Sequence, residues 1–174
     1  MKNLITLFIF CFLFAGNISA QKTALKFSSV YTDLNKGCKT IKGGEGQDDA
    51  SDCRGIGGYR IYNWFSAATQ MFAVTLPKSD ETISLATVNL DFDPSKTKVE
   101  WRLANGKPFA VIMRVDKYDG KGDGSFNFLG KKIGKELIVK GLKGFEKIDF
   151  TVDGKTPNAN AKAREMADTS YEQK

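Results

Sequence analysis

Carboxylates are the side chains best placed to do chemistry in this chain, which contains no histidine. Four of them lie in a glycine-rich stretch beside two cysteines, where their oxygens would suit a hard cation or a basic partner: Glu45, Asp48, Asp49 and Asp52. The same composition is typical of a solvated surface loop. We take this acidic stretch as a candidate binding surface and leave open whether it holds an ion.

Asp119 begins a second acidic stretch, Asp-Gly-Lys-Gly-Asp-Gly, which resembles the start of a calcium-binding loop. Such loops place oxygen ligands at positions three and twelve. Lys121 and Gly130 occupy those positions here, and a flexible connection between strands explains the stretch without an ion. We therefore expect no cofactor, with a calcium ion as the alternative.

Aromatic residues follow the first acidic stretch, on a segment with the pattern of a strand. Because side chains alternate along a strand, Tyr62 and Trp64 fall on one face, and Tyr59 and Phe65 fall on the other. Large rings on both faces indicate a central strand, or a strand with one core face and one face that binds a sugar or peptide. Tyr59, Tyr62 and Trp64 join the candidate binding surface.

A pair of carboxylates for glycoside hydrolysis would have to come from Asp91 and Glu100, the acids within predicted strands that we consider. Both are predicted to face outwards, and no spacing singles them out.

A lysine-rich stretch in a chain with a pI near 9.2 would suit a polyanion. Its members are Lys131, Lys132, Lys135, Lys140, Lys143 and Lys147. Acids interrupt the stretch and no nucleic-acid-binding motif accompanies it, so nucleic acid is not an expected partner.

The absence of histidine excludes Ser-His-Asp and Cys-His catalytic systems. Zinc and copper sites would need imidazole or free thiolate. Cys38 and Cys53 lie outside the apolar N-terminal segment, and we predict that they form one disulfide. A bridge that closes a loop of about 15 residues stabilises a fold by roughly 3 kcal/mol.

The N-terminal segment has the layout of a secretory signal peptide. Lys2 precedes an apolar run, and Ser19-Ala20 supplies small residues for cleavage before Gln21. This predicts a signal peptide over residues 1–20 and a single disulfide-containing domain over residues 21–174, periplasmic or secreted and without a transmembrane anchor. An oxidising compartment agrees with the predicted disulfide.

Alternating apolar and polar residues predict about seven strands, with residues 37–58 as a long loop tied at its base by the disulfide. Thr156 and Pro157 are typical of a helix start, and one face of the following helix would carry Ala159, Ala163, Met166 and Ala167. The predicted fold class is α+β, mainly antiparallel β, as a single sheet-rich domain with a C-terminal helix packed on it.

One hairpin is predicted in detail, around Asn105-Gly106. A three-residue loop with a left-handed Gly106 would place Trp101 opposite Phe109 and Val99 opposite Val111, which keeps apolar side chains on one face. We therefore predict a type I turn with a glycine bulge rather than the tight two-residue turn.

Three segments carry a resemblance to known proteins. Residues 99–114 are VEWRLANGKPFAVIMR, residues 157–168 are PNANAKAREMAD, and Cys53 begins the segment CRGIGGY. In this order they resemble a family of small exported bacterial proteins that have a W-R-x-x-x-G-K-P-F-A hairpin and a closing A-N-A-x-A-R-x-x-A-D helix. The resemblance implies bacterial export and one compact domain, and it supplies no site residue.

These observations predict a monomeric, non-enzymatic binding or interaction protein, whose partner is a protein or glycan of the cell envelope. The expected working surface is the glycine-rich acidic loop 43–58 with the adjoining aromatic strand, because binding residues favour loops on rigid scaffolds. The alternatives are a carboxylate-dependent hydrolase of envelope glycans and a polyanion-binding protein.

Overall fold

The computed structural model describes residues 24–46, 48–66, 68–76, 81–123 and 127–174, so the predicted signal peptide lies outside the described residues. The described part contains ten strands, one short 3₁₀ helix and one α-helix. In chain order these are β1 (Phe27–Asp33), β2 (Cys38–Ile41), β3 (Ala50–Arg54), β4 (Arg60–Ser66), β5 (Thr69–Thr75), β6 (Thr82–Asn89), the 3₁₀ helix Pro94–Lys96, β7 (Lys98–Ala104), β8 (Lys107–Tyr118), β9 (Lys132–Gly141), β10 (Asp149–Asp153) and α1 (Ala159–Glu172).

The strands form two five-stranded antiparallel sheets. Sheet A has the order β1-β7-β8-β9-β10, and sheet B has the order β2-β3-β4-β5-β6. Since β1 pairs with β7, all of sheet B is inserted in the chain between two neighbouring strands of sheet A. The mainly antiparallel α+β class is confirmed, whereas the prediction of about seven strands is too low.

The predicted loop over residues 37–58 is wrong in most of its length, because it contains the β2–β3 hairpin. Cys38 and Cys53 are directly opposed in that hairpin and form the predicted disulfide. The bridge therefore joins the edge strand of sheet B to its neighbour. Polar residues and glycines are concentrated in this segment because β2 and β3 are short and lie at the edge, where few side chains are buried.

The predicted turn between β7 and β8 is also wrong. Asn105 and Gly106 both have positive φ, 48° and 79°, and Ala104 pairs with Lys107, as in a two-residue type I′ turn. The pairing shifts register between Arg102 and Leu103, and this shift returns the apolar side chains of β7 and β8 to a common face. Trp101 consequently pairs with Val111 rather than with Phe109, and the Val99 partner is Met113.

Two hydrophobic cores divide the molecule into three layers. The larger core lies between the sheets and contains residues of both, such as Ile61 and Phe72 of sheet B and Trp101 and Val111 of sheet A. The smaller core lies between sheet A and α1. The central strands of sheet A are therefore buried on both faces, whereas sheet B has one face outside both cores.

The predicted C-terminal helix is confirmed, and its buried residues are Ala159, Ala163 and Ala167. These small side chains let the helix lie close to sheet A. The helix begins later than Thr156 and Pro157 predict, because the Ala159 N–H donates to the Thr156 carbonyl in a preceding turn. Asn158 precedes the helix in the left-handed conformation.

Candidate functional site

The tip of the β2–β3 hairpin carries three of the predicted acids. Asp49 folds back on the tip and accepts hydrogen bonds from Lys42 Nζ (2.6 Å) and the Gly43 N–H (3.2 Å). These bonds, led by the one from Lys42, hold the pKa of Asp49 below its ordinary value. Asp49 therefore closes the tip, while Glu45 and Asp48 are exposed.

The second acidic stretch is organised by Asp119. Its Oδ1 accepts hydrogen bonds from the N–H groups of Lys121 and Lys131, each at 3.0 Å, and these bonds lower its pKa. The carboxylate thus closes the base of the connection between β8 and β9. Among the described residues, no group of three or more His, Cys, Asp or Glu is arranged to hold a metal ion.

Tyr59 is separated from the other predicted aromatic residues. It belongs to the core between the sheets, where its ring lies 6.0 Å from that of Trp101, and burial raises its pKa. Tyr59 is therefore a packing residue, and the candidate surface is reduced by one ring.

The outer face of sheet B brings three of the predicted residues together. Asp52 is directly opposite Tyr62, and Trp64, two residues further along β4, shares their face. Met71 lies opposite Trp64 on β5, and the Arg60 Nε donates to Asp52 Oδ1 at 2.5 Å. We call this set, Asp52, Arg60, Tyr62, Trp64 and Met71, the aromatic face.

Side chains on the outer face of sheet B cover the sheet at Ala73. Ala73 is opposite Tyr62 and belongs to neither core, yet it is only 1% exposed. The side chains around it must cover it, and Tyr62 is its neighbour on the same face. The aromatic face is therefore a partly apolar surface with the Asp52–Arg60 ion pair at one side.

A second site lies on the face of sheet A that carries α1. The helix covers the apolar part of this face, around Ala110 and Val139. It leaves uncovered the part where β8 carries the charged side chains of Arg114 and Asp116. The uncovered part forms a cleft of about 580 Å³. We define the polar cleft by Tyr31, Glu100, Arg114, Asp116 and Arg164, all of which line it.

One wall of the polar cleft is a hydrogen-bonded network around the buried Glu100. Its carboxylate accepts from Arg164 Nε at 2.6 Å and Nη2 at 3.1 Å, and from the Ser29 hydroxyl at 2.5 Å. Arg164 Nη2 also donates to the Tyr31 hydroxyl at the cleft mouth (3.0 Å). The network connects β1 and β7 to α1 and fixes the side chains that form the wall.

The opposite wall contains Asp116, whose side chain is 4% exposed. Lys132 Nζ lies 2.9 Å from Oδ2, and Lys135 Nζ lies against Oδ1 in an ion pair that lacks good hydrogen-bond directionality. Burial acts to raise the pKa of Asp116, but the two lysines outweigh burial and lower it. Asp116 is therefore ionised at neutral pH.

Asp116 should make stability depend on pH in a definite direction. Because its folded-state pKa is lowered, its contribution is complete above the ordinary aspartate pKa of about 4 and is lost as the pH falls through the folded-state value. We expect urea unfolding curves to show wild type more stable than Asp116→Asn at pH 7, with a smaller difference at pH 3. Glu45→Gln, at the exposed hairpin tip, serves as the control, and a difference that is constant with pH would contradict the assignment.

The residues of the two alternative functions are placed as follows. Asp91 and Glu100, the considered hydrolase acids, both line the polar cleft, but Glu100 is engaged by Arg164 and Ser29. Most lysines of the basic stretch are in ion pairs: Lys132 and Lys135 with Asp116, Lys140 with Asp149, and Lys143 with Glu81.

Three residues of the polar cleft were not predicted as site residues from the sequence: Arg114, Asp116 and Arg164. The sequence signal is partial, because Arg114 and Asp116 continue the alternation of Ala110 and Ile112, but only the structure shows that this face carries the helix. Charged side chains at such positions indicate a face that is only partly covered.

Searches of protein-family models, curated proteins and solved structures find no significant match to this chain. None of the helices in the described ranges is long and apolar enough to cross a membrane.

Proposed function

We propose that the protein is a non-enzymatic binding protein of the bacterial envelope or exterior, and that it binds a glycan on the aromatic face. One observation carries the proposal. Tyr62 and Trp64 occupy successive outward positions of β4, the central strand of sheet B, and neither core includes them.

A saccharide fits such a surface because its ring has C–H groups on its faces and hydroxyl groups around its edge. Successive outward side chains of a strand are about 6.7 Å apart, so two rings offer one continuous strip to the sugar faces. Aromatic side chains supply a large apolar contact area at a small entropic cost. Met71, opposite Trp64, widens the strip.

The ion pair beside Tyr62 supplies the polar contacts that a sugar edge requires. Asp52 accepts hydrogen bonds and Arg60 donates them, and their mutual bond of 2.5 Å holds both groups in place. A few fixed polar groups beside an apolar surface are the usual means of orienting a ligand. The bond to Asp52 is also the main cause of the raised pKa of Arg60.

Export is part of the proposal and rests on residues 1–20, which have the layout of a signal peptide. The Cys38–Cys53 disulfide supports it, because such bonds persist in oxidising compartments. The resemblance to small exported bacterial proteins points the same way.

The two alternatives have less support from the geometry. A glycoside hydrolase needs a carboxylic acid that stays protonated near neutral pH, whereas the pKa of Asp116 in the polar cleft is lowered. A polyanion binder needs free cations on one surface, whereas the lysine-rich stretch is largely paired with carboxylates.

Tryptophan fluorescence tests the proposal, because the chain has two tryptophans and Trp101 is fully buried. We would titrate oxidised protein with hexasaccharides of glucose, mannose and N-acetylglucosamine. We expect a saturable change in Trp64 emission for at least one of them, and Tyr62→Ala should weaken its binding about tenfold, which corresponds to 1.4 kcal/mol.

Phe65→Ala is the matched control, because Phe65 is the next ring of β4 but falls on the opposite parity and is 38% exposed. It should leave binding within twofold of wild type. Absence of saturable binding by all three glycans, or an equal loss in Phe65→Ala, would reject the aromatic face as a glycan site.

A further inference from the structure

We infer that the polar cleft on sheet A is a separate binding site for a small organic oxyanion, a carboxylate or phosphate, held by Arg114 and Lys98. The two residues are neighbours on the sheet because Val99 pairs with Met113, which places the preceding Lys98 opposite the following Arg114. Both line the cleft.

Arg114 and Lys98 differ from the other cations of the cleft in having no acidic partner. Four cations lie within ion-pair distance of a carboxylate: Lys96, Lys132, Lys135 and Arg164. No carboxylate lies within 4.0 Å of Arg114 or Lys98 in the part of the chain that the structure describes.

The nearest acid in register is Asp33, which lies opposite Lys98 on β1. Its Oδ1 instead accepts a hydrogen bond from the Asn35 N–H at 3.0 Å, and it forms no ion pair with Lys98. Neither Lys98 nor Arg114 therefore has a counter-charge, and an oxyanion in the cleft would supply one.

Arg114 is oriented for such a ligand. Nη2 donates to Asn160 Oδ1 at 3.0 Å, which ties the guanidinium to the first turn of α1, and this is its one hydrogen bond within the described ranges. Nη1 lies close to Gly154, where an added Cβ would meet it at 3.1 Å. The rest of the guanidinium can offer N–H groups to an oxyanion, which arginine recognises in carboxylates and phosphates.

The volume of the cleft and the apolar residues in its lining favour an organic molecule that carries the oxyanion over a small inorganic ion. Its volume of about 580 Å³ lies within the range of small-molecule sites. The buried residues Ile112, Leu137 and Phe92 line the cleft on its apolar side, and Tyr31, 52% exposed, stands at the mouth. A sugar acid or a sugar phosphate combines the required charge with a body of suitable size.

Binding of three probes tests the site: inorganic phosphate, glucose 6-phosphate and glucuronate, each followed by two-dimensional amide NMR at low ionic strength. We expect saturable shifts at residues around Arg114, with an organic probe at least fivefold tighter than inorganic phosphate. The two organic probes distinguish a phosphate site from a carboxylate site. Arg114→Gln should weaken binding at least tenfold, and Lys98→Gln about threefold or more.

The matched control is Arg54→Gln, an exposed arginine on sheet B that lies outside the cleft, and it should change affinity less than twofold. Without ligand, Lys98→Gln should melt at the wild-type temperature, because Lys98 has no ion pair to lose. Absence of saturable binding by every probe, equal losses in Arg54→Gln, or tighter binding of inorganic phosphate than of both organic probes would overturn the inference. Trp64→Ala should leave oxyanion binding unchanged. The oxyanion site and the proposed glycan site are therefore tested separately, and rejection of one does not reject the other.

Discussion

Replacing Asp168 by alanine is expected to lower the free energy of unfolding by about 3–5 kcal/mol, because it leaves a buried arginine without its counter-charge. Arg102 is the partner, with a side chain that is 7% exposed. Its Nε and Nη2 donate to the two oxygens of Asp168 at 3.0 and 2.5 Å. Unfolding in urea would measure the loss.

The size of this effect follows from how α1 is attached to sheet A. Asp168 and Arg164 are one helical turn apart, about 6 Å along the axis, and their partners Arg102 and Glu100 are two residues apart on β7, about 6.7 Å. The two spacings match, so both ion pairs form at once. Ser29 connects them, accepting from Arg102 Nη1 at 2.6 Å and donating to Glu100.

Asp149→Ala is the control, because Asp149 also forms an ion pair, with Lys140, but is 61% exposed. An exposed pair contributes at most about 1 kcal/mol. The double variant Arg102→Met with Asp168→Leu should recover most of the loss, since no charge then remains buried. If Asp168→Ala cost no more than Asp149→Ala, α1 would not depend on this pair.

The features that the sequence predicted correctly are those set by short-range patterns. The alanines of α1 recur every four residues, so their common face is independent of the rest of the fold. The Cys38–Cys53 pair follows from cysteine number alone, because these are the two cysteines outside the apolar N-terminal segment. Alternation likewise placed Tyr62 and Trp64 on one face.

The sequence could not predict the features that depend on α1 as a third layer, packed on sheet A. Sheet A has sheet B on one face and α1 on the other, so β8 is apolar on both faces between Phe109 and Met113. In such a strand, alternation no longer selects a register, so it could not distinguish a three-residue turn from a two-residue turn. Phe109, expected opposite Trp101, packs against the helix instead.

The polar cleft was hidden for the same reason. Arg114 and Asp116 are ordinary alternating charges until one knows that α1 covers only part of their sheet face. The length and position of the helix, not the local sequence, decide that these side chains border a cleft. Glu100 was predicted to face outwards and is instead buried under α1 by Arg164.

Trp101→Ala is expected to lower the free energy of unfolding by about 3–5 kcal/mol, by removing the largest fully buried side chain of the described core. The indole lies between the two sheets, and its Nε1 donates to the Thr32 hydroxyl at 3.0 Å. A Cβ at Gly55 would come within 2.6 Å of the ring, so Gly55 is the residue that lets the chain pass so close. The cavity left by truncation would therefore have the Gly55 backbone as part of its wall.

Trp64→Ala is the matched control, because it truncates the same residue type on the outer face of sheet B. Substitutions at such positions usually change stability by less than about 0.5 kcal/mol, and we allow up to about 1 kcal/mol for the contact with the sheet. The two variants, unfolded in urea and followed by far-ultraviolet circular dichroism, should differ by at least about 2 kcal/mol. Equal losses would mean that the outer face is as tightly packed as the core, and Tyr62 and Trp64 would then be structural residues rather than a surface open to a ligand.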